Sequence, residues 1–183
     1  MDFLEMMQKR CSCRDYIPGK TVSREDLLKI VEAGRLSPSG CNAQPWKFIV
    51  VDSPEAKEKV CDAVVVGNGV TGAPWRDQVS AFIIFVEQPA DVKPVVVEHY
   101  HDTQRFAQGD IGAACMNMIH EAFTLGLATC VIGMNDQAKM EKHFGIPSGH
   151  EVRLVLAIGY AANPPAVNKI RKPLEEVCSF NQW

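Results

Sequence analysis

The sequence predicts an α+β fold: three layers, α/β/α, around a mixed, mostly antiparallel sheet, with an apolar helix at the centre. Three observations carry this. About four short apolar runs alternate with segments of helical spacing, the pattern of a sheet covered by helices. The longest helical segment, ending near residue 125, is apolar round most of its circumference (Ala113, Ala114, Cys115, Met116, Met118, Ala122, Phe123), so it is enclosed on several sides. The run 78–87 is apolar nearly throughout rather than alternating, as a strand covered on both faces must be. A chain of 183 residues suits one domain, 1–183, and can bury a core without staples.

In order along the chain, Asp2 to Gln8 reads as a short helix carrying Phe3, Leu4, Met6 and Met7, and 10–18 as irregular. Ser23 caps the next helix: its hydroxyl suits the third backbone N–H, and Asp26 can reach back in a capping box. Leu27, Leu28, Ile30, Val31 and Gly34 give that helix its stripe, ending near Leu36. A loop over 36–45 leads into a strand from Lys47 to Val51. Ser53-Pro54 opens a helix running to about Val65, proline standing where no amide is needed. A strand covers Gln78 to Glu87, and 91–97 has no decisive pattern. The apolar helix begins between Tyr100 and Asp110 and ends at Leu125; it is either a central core helix or a dimer-interface helix, or both if the core is shared. Leu127 to Ile132 is a strand, Asp136 caps a helix to Phe144 that Gly145 stops, and Glu151 to Tyr160 is the last strand. After Asn163-Pro164-Pro165 strong periodicity fades.

Composition narrows the function. The net charge of -3 argues against nucleic acid as the main partner, because phosphate binding needs clustered Lys and Arg. No apolar run reaches the roughly 18 residues of a membrane span. The seven cysteines are an odd number, and Met1-Asp2-Phe3-Leu4-Glu5 carries acids where a secretory leader carries bases. Free thiols in a reducing, cytoplasmic compartment are expected.

Several motifs resolve to bland readings. Cys11-x-Cys13 lacks the spacing of a zinc or redox pair, and His99-Tyr100-His101 has no partner cluster, so no metal site is expected. Gly67 to Gly72, "GNGVTG", matches the dinucleotide fingerprint letter for letter, but a helical pattern precedes it and the next strand follows within about six residues, leaving no helix to receive a phosphate. It reads as a surface loop; the rival, a colourless NAD-binding protein, rests on it alone. His120 reads as a satisfied core or interface histidine. No nucleophile elbow, P-loop or H-E-x-x-H is present. Two basic groups remain, "RCSCR" at 10–14 and "KIRKP" at 169–173. Alternate arginines in an extended segment point the same way and can clamp a phosphate with Ser12 beside them; the other reading is a solvated charge pair.

Taken together, "RCSCRDY" (10–16), "EAGRLSPSGCNAQPWKFIVV" (32–51), "GDIGAACMNMIHEAFTLGLATCVIG" (109–133), "LAIGY" (156–160) and "RKPLEEV" (171–177) resemble the flavin-dependent nitroreductase family, in the right order and over most of the chain. The resemblance implies that fold, an FMN cofactor, and a homodimer with two flavins at the subunit interface. Matched motif to motif, Arg10, Cys11, Ser12 and Arg14 would border the FMN phosphate and flavin edge, with Arg171 and Lys172 closing from the C-terminal side. Pro38, Ser39, Asn42 and Gln44 would come from the partner subunit and flank the ring, while Trp46 is mainly core. Ile132 and Gly133 would lie near flavin N5 and give it a backbone N–H. The segment 164–183 would extend and pack on the partner. Short groups on a proline-stiffened loop would supply hydrogen bonds at little entropic cost.

The implied activity is hydride transfer from NADH or NADPH through FMN to a nitroaromatic, quinone or similar electron-poor acceptor, by a ping-pong mechanism. No side chain is expected to be an obligatory acid, and Arg14 is the candidate for tuning the flavin. The alternatives are a non-catalytic flavin-binding or sensory protein, or a specialised family reaction such as dehalogenation. Cys11 and Cys13 depart from the larger polar residues common at those positions, and a thiol beside arginines is expected to ionise more easily.

Overall fold

The computed structural model describes residues 2–64, 75–163 and 169–183. Its elements are α1 (Phe3–Lys9), α2 (Arg24–Arg35), β1 (Trp46–Val51), α3 (Pro54–Ala63), β2 (Ala81–Glu87), α4 (Pro94–Tyr100), α5 (Ala107–Thr124), β3 (Ala128–Ile132), α6 (Gln137–Phe144), β4 (Glu151–Gly159) and α7 (Leu174–Val177). The sheet has the order β1-β2-β4-β3, and its named strands pair antiparallel throughout. Its parallel element is a single bridge, Ser12 to Thr129, at the open edge of β3. The glycine-rich stretch Gly67 to Gly72 lies outside the described residues.

Local chemistry sets the helix boundaries. Ser23 Oγ accepts from the Asp26 amide at 3.0 Å and donates to the Asp26 carboxylate at 2.8 Å, so the acid reaches the cap through its hydroxyl. Ser53 and Asp136 cap α3 and α6 in the same way, through the amides of Ala56 and Lys139. Gly145 ends α6 at φ +63°, a left-handed position that costs glycine nothing.

Three boundaries differ from the sequence reading. The strand expected from Gln78 starts at Ala81, because Arg76–Gln78 is a short 3-10 turn. The indecisive segment becomes α4, opened by Pro94 and none of it buried. The helix expected to reach Val65 stops at Ala63, and Val64 bridges to Asn135.

β2 is the buried centre of the sheet, every residue from Ala81 to Glu87 being enclosed. Its alternate side chains feed two cores. Phe82, Ile84 and Val86 join the layer of α3 and α6 with Val60, Ala63 and Met140; Ala81, Ile83 and Phe85 join that of α2 and α5 with Leu27, Ile30, Ala114 and Met118. Each large apolar side chain so enclosed contributes about 1.5–3 kcal/mol. A bulge opposite Phe85/Val86 leaves Arg153 unmatched and turns Val152 into the α3/α6 layer. Arg153 then pairs with the buried Glu87 and with Glu151, and Gln104 donates to Glu87 at 2.7 Å, fixing the approach to α5 on the sheet end.

Helix α5 is the expected apolar helix, but in one chain it is enclosed on one face only. Ala107, Ile111, Ala114, Cys115, Met118, Ile119 and Ala122 are buried, whereas Met116 is 39% exposed. Gly34 is the point where α2 reaches it: a Cβ there would meet the Met118 side chain at 2.1 Å. His120, expected to be satisfied, is not. Its Nε2 is buried without a hydrogen-bond partner, and its ring meets the edge of Phe3 at 5.2 Å. All seven cysteines are free.

Candidate functional site

The segment 10–16 lies along the open edge of β3. The Cys13 amide donates to the Thr129 carbonyl at 2.8 Å beside the Ser12–Thr129 bridge. The segment then turns to the end of β4, where the Ile17 amide reaches the Tyr160 carbonyl and the Ala162 amide reaches that of Asp15. Tyr16 is its anchor: fully buried, with its amide donating to Gln78 and its ring seated on Gly159. This leaves Ser12 and Arg14 exposed and Arg10 and Cys11 half-buried. Arg10, Cys11, Phe123, Leu127 and Thr129 line a cavity of about 210 Å³ behind the segment.

The Cys13 thiol does not ionise more easily, contrary to the expectation from its place between the arginines. Burial raises the Cys13 thiol above its ordinary value. Burial raises Cys130 as well, against the opposing charge of Arg14. Neither thiol is activated by the arginines.

One of the C-terminal cations, Lys169, returns to the first helix beside Arg10. Lys169 Nζ donates to the Met7 carbonyl in the last turn of α1. Its pKa is lowered, first by desolvation and then by the charges of Arg10 and Arg171. Lys169 thus feels cations from both ends of the chain, and among the described residues no carboxylate lies within ion-pair distance of Arg10, Arg14, Lys169 or Arg171. Arg171 bonds only its neighbour's carbonyl, at 2.7 Å, and Lys172 is exposed. Lys169 was not singled out among the residues above, although its alternation with Arg171 repeats that of the arginines at 10–14.

At the far end of β3, Ile132 and Gly133 separate. The Ile132 side chain is buried in the α3/α6 core, which leaves only its backbone for a ligand. Gly133 is exposed, and a Cβ there would meet nothing within 4 Å. Backbone groups of alternate residues face the same edge of a strand, so those of Thr129 and Val131 face the open side, and Gly133 follows directly after the strand's end.

The loop 37–44 sits elsewhere. Cys41, Asn42 and Gln44 have φ of 55°, 56° and 47°, three left-handed non-glycine residues within four positions. Each such residue costs about 1–3 kcal/mol and persists only where its surroundings impose it. Here Ser39 Oγ accepts from the Gln44 amide at 3.0 Å, and the Gln44 side chain donates to the Asn42 carbonyl at 3.3 Å. Two residues of α5 hold the loop from below: the Asp110 carboxylate accepts from the Gly40 amide at 3.1 Å, and the Asn117 amide donates to Ser37 at 2.7 Å. Seven residues apart, they stand on one face of the helix. Asp110 and Asn117 are polar interruptions in an apolar helix, and that was the signal available for them. Pro38, Asn42 and Gln44 are exposed, and Ser39 is half-buried.

Within one chain these sets stay apart. The loop rests on α5 at Asp110 and Asn117, while Arg10 and Cys11 line their cavity with Phe123. The two anchors lie roughly 20 Å and 9 Å along the helix from Phe123. Large apolar side chains are exposed between and around them: Phe3, Leu4, Leu28, Leu36 and Met116, and on the tail Ile170, Leu174, Val177, Phe180 and Trp183.

Comparison with known proteins identifies the fold and the family. A nitroreductase-like protein of Streptococcus mutans superposes with a TM-score of 0.84 at 18% identity, covering 99% of this chain and 98% of that one. A provisionally named nitroreductase of Exiguobacterium sibiricum, crystallised with FMN, gives 0.80 at 22% identity over 98% and 97%. At such identities the likeness is one of fold. A Haemophilus influenzae protein with the provisional name NAD(P)H nitroreductase is 46% identical, with 97% of this chain and 95% of that protein aligned. Since the model of the Nitroreductase family also matches residues 7–160, the chain belongs to the nitroreductase family.

Proposed function

We propose that this oxidoreductase binds FMN and transfers hydride from NADH or NADPH to a nitroaromatic, quinone or similar electron-poor acceptor, the donor and acceptor using one cleft in turn. The observation that carries the reading is that Lys169, seated on the last turn of α1, lies within electrostatic range of Arg10 and Arg171, while among the described residues none of the three has a carboxylate partner. Three cations held together repel one another unless an anion joins them, and a phosphate near two negative charges suits that need. Gly133, exposed just past the end of β3, offers a backbone donor next to that strand. The residues present therefore fit the cofactor.

When bound, FMN supplies the two-electron chemistry at its N5. The chain's own groups hold and tune it. Arg10, Lys169 and Arg171 take the phosphate; Ser12, Arg14 and the half-buried Cys11 border the ligand; Lys172 adds charge at the rim. Arg14 carries the one cation beside β3 suited to stabilising negative charge on the ring, so Arg14→Gln lowers the flavin reduction potential. Pro38, Ser39, Asn42 and Gln44 are presented to that flavin by a second copy, since their loop is anchored on α5 at Asp110 and Asn117, away from Phe123. The site is then shared by a homodimer, and the exposed apolar tail, 169–183, packs on the partner. The cytoplasm is the expected compartment, consistent with seven free thiols.

The test has two parts. Purified protein reconstituted with FMN shows a flavin absorption spectrum that denaturation alters, and the released compound runs with FMN and not FAD. Steady-state rates with NADH or NADPH against a quinone give parallel double-reciprocal lines. Intersecting lines would reject the alternating use of one cleft, and a protein that stays colourless after incubation with FMN would reject the cofactor.

A further inference from the structure

The polar loop does not end in solvent. It rests on an aromatic and cationic cluster at the turn between α4 and α5. A Cβ at Gly40 would stand 3.1 Å from the Phe106 side chain, so the loop backbone lies directly on that ring. Phe106 meets Tyr100 edge-on, with centroids 5.8 Å apart and planes at 87°. The Arg105 guanidinium lies over the Tyr100 ring at 4.2 Å, and His99 meets the same ring edge-on at 4.6 Å.

None of this is core packing. α4 buries no residue, Tyr100 is 41% exposed and Arg105 is exposed. Among the described residues Arg105 has no ion-pair partner. The nearby Asp102 carboxylate accepts from the Gln104 amide at 2.8 Å and so serves the turn's backbone. An exposed arginine would ordinarily be free to take many rotamers. Here the ring face holds the guanidinium in place, which leaves outward N–H groups for an anion and lowers the ordering cost of binding one.

We propose that Tyr100, Arg105 and Phe106 form the acceptor-side wall of the site, and that Arg105 makes the enzyme prefer planar aromatic acceptors carrying a carboxylate or sulfonate. This rests on the function proposed above, because the wall borders the flavin only through the loop 37–44. The aromatic pair supplies apolar surface for the ring of the acceptor, and the guanidinium takes its charged substituent. Each turnover of a quinone removes hydride from the dihydronicotinamide and one proton from solvent, giving hydroquinone and the oxidised nicotinamide. The anionic substituent is bound but does not react.

The FMN-loaded protein is assayed with 1,2-naphthoquinone-4-sulfonate and with unsubstituted 1,2-naphthoquinone. The reading is the ratio of their kcat/KM values. Arg105→Gln lowers that ratio about tenfold, Arg105→Lys about threefold, and Tyr100→Leu falls between them because the charge stays while its platform is lost. A second readout needs no turnover: calorimetric titration of the loaded protein with 2-naphthalenesulfonate and with 2-naphthalenesulfonamide. Arg105→Gln weakens the sulfonate about tenfold and shifts the sulfonamide less than about twofold. Equal losses for charged and neutral ligands in either assay, or no loss, overturn the proposal. If the wild-type protein reduces neither quinone, the oxidoreductase reading fails, and the calorimetric comparison decides the anion preference alone.

Discussion

Lys169→Met is the most direct probe of the phosphate cradle. It removes one ammonium and keeps most of the stem that packs beside α1. A hydrogen bond to a charged group is worth about 1.5–3 kcal/mol, which corresponds to roughly 10–150-fold in affinity. The structure places the effect toward the lower end. In the empty site the ammonium is already disfavoured, first by desolvation and then by Arg10 and Arg171, so its removal relieves some repulsion while it forfeits the contact. About tenfold weaker FMN binding is expected, measured by quenching of flavin fluorescence on titration into the unliganded protein. Riboflavin is the control: it has the same ring and ribityl chain and no phosphate, and its affinity changes less than about twofold. The salt dependence of FMN binding also becomes shallower in the variant. Equal losses for FMN and riboflavin would refute the assignment, because the lysine would then be holding α1 rather than a phosphate.

Three further outcomes test how the fold supports the site. Gly159→Ala destabilises the protein by about 1–3 kcal/mol in urea denaturation, since the new methyl would stand 2.8 Å from the Tyr16 ring that anchors the arginine segment. Glu87→Leu costs about 3 kcal/mol by the same measurement, because it leaves Arg153 with only the exposed Glu151 and removes one of the two acceptors of the Gln104 amide. The third concerns pH. Burial, and then the charge of Arg10, hold His120 below its ordinary value, so the unfolded chain takes up this proton first as pH falls. Stability is present above the unfolded value near 6.5 and declines as pH drops from there towards the depressed folded value. Thermal midpoints of the wild type should therefore fall between neutral and mildly acidic pH more steeply than those of His120→Asn; identical slopes would remove His120 from the account.

What was legible in the sequence was local. Ser23 and Asp26, Ser53 and Pro54, Asp136 and Gly145 each fix a helix boundary by bonds within four residues, and all were read correctly. Helix α4 was not, because Val95, Val96 and Val97 are β-branched and argue against a helix that Pro94 nevertheless opens. The start of β2 was misplaced because Val79 is as apolar and buried as the strand yet lies outside its ladder. The two basic groups stood out by spacing, but their meeting depends on contacts across the whole chain: Lys169 reaches Met7 over 162 positions. The loop anchors Asp110 and Asn117 and the buried Ile132 side chain belong to the same class, being decided by tertiary packing and not by neighbours in sequence.

The separation of the cations from the loop has a consequence that complementation can measure. Suppose one variant lacks the cations (Arg10→Ala with Lys169→Ala) and another lacks the loop donors (Ser39→Ala with Asn42→Ala). If each site draws cations from one subunit and the loop from the other, both homodimers are defective at both sites. A heterodimer is different: one of its sites combines the two defects, and the other combines intact cations with an intact loop. Random exchange at equal concentrations makes about half of the dimers mixed, so about a quarter of all sites regain wild-type affinity for FMN. If both sets served a flavin within one chain, no combination of these variants could restore a site. The spacing along α5, roughly 9 to 20 Å from the loop anchors Asn117 and Asp110 to Phe123, argues for the shared arrangement. Flavin titration of the exchanged mixture decides it, because a tight-binding fraction near one quarter requires two chains at each site, and its absence after demonstrated exchange excludes them.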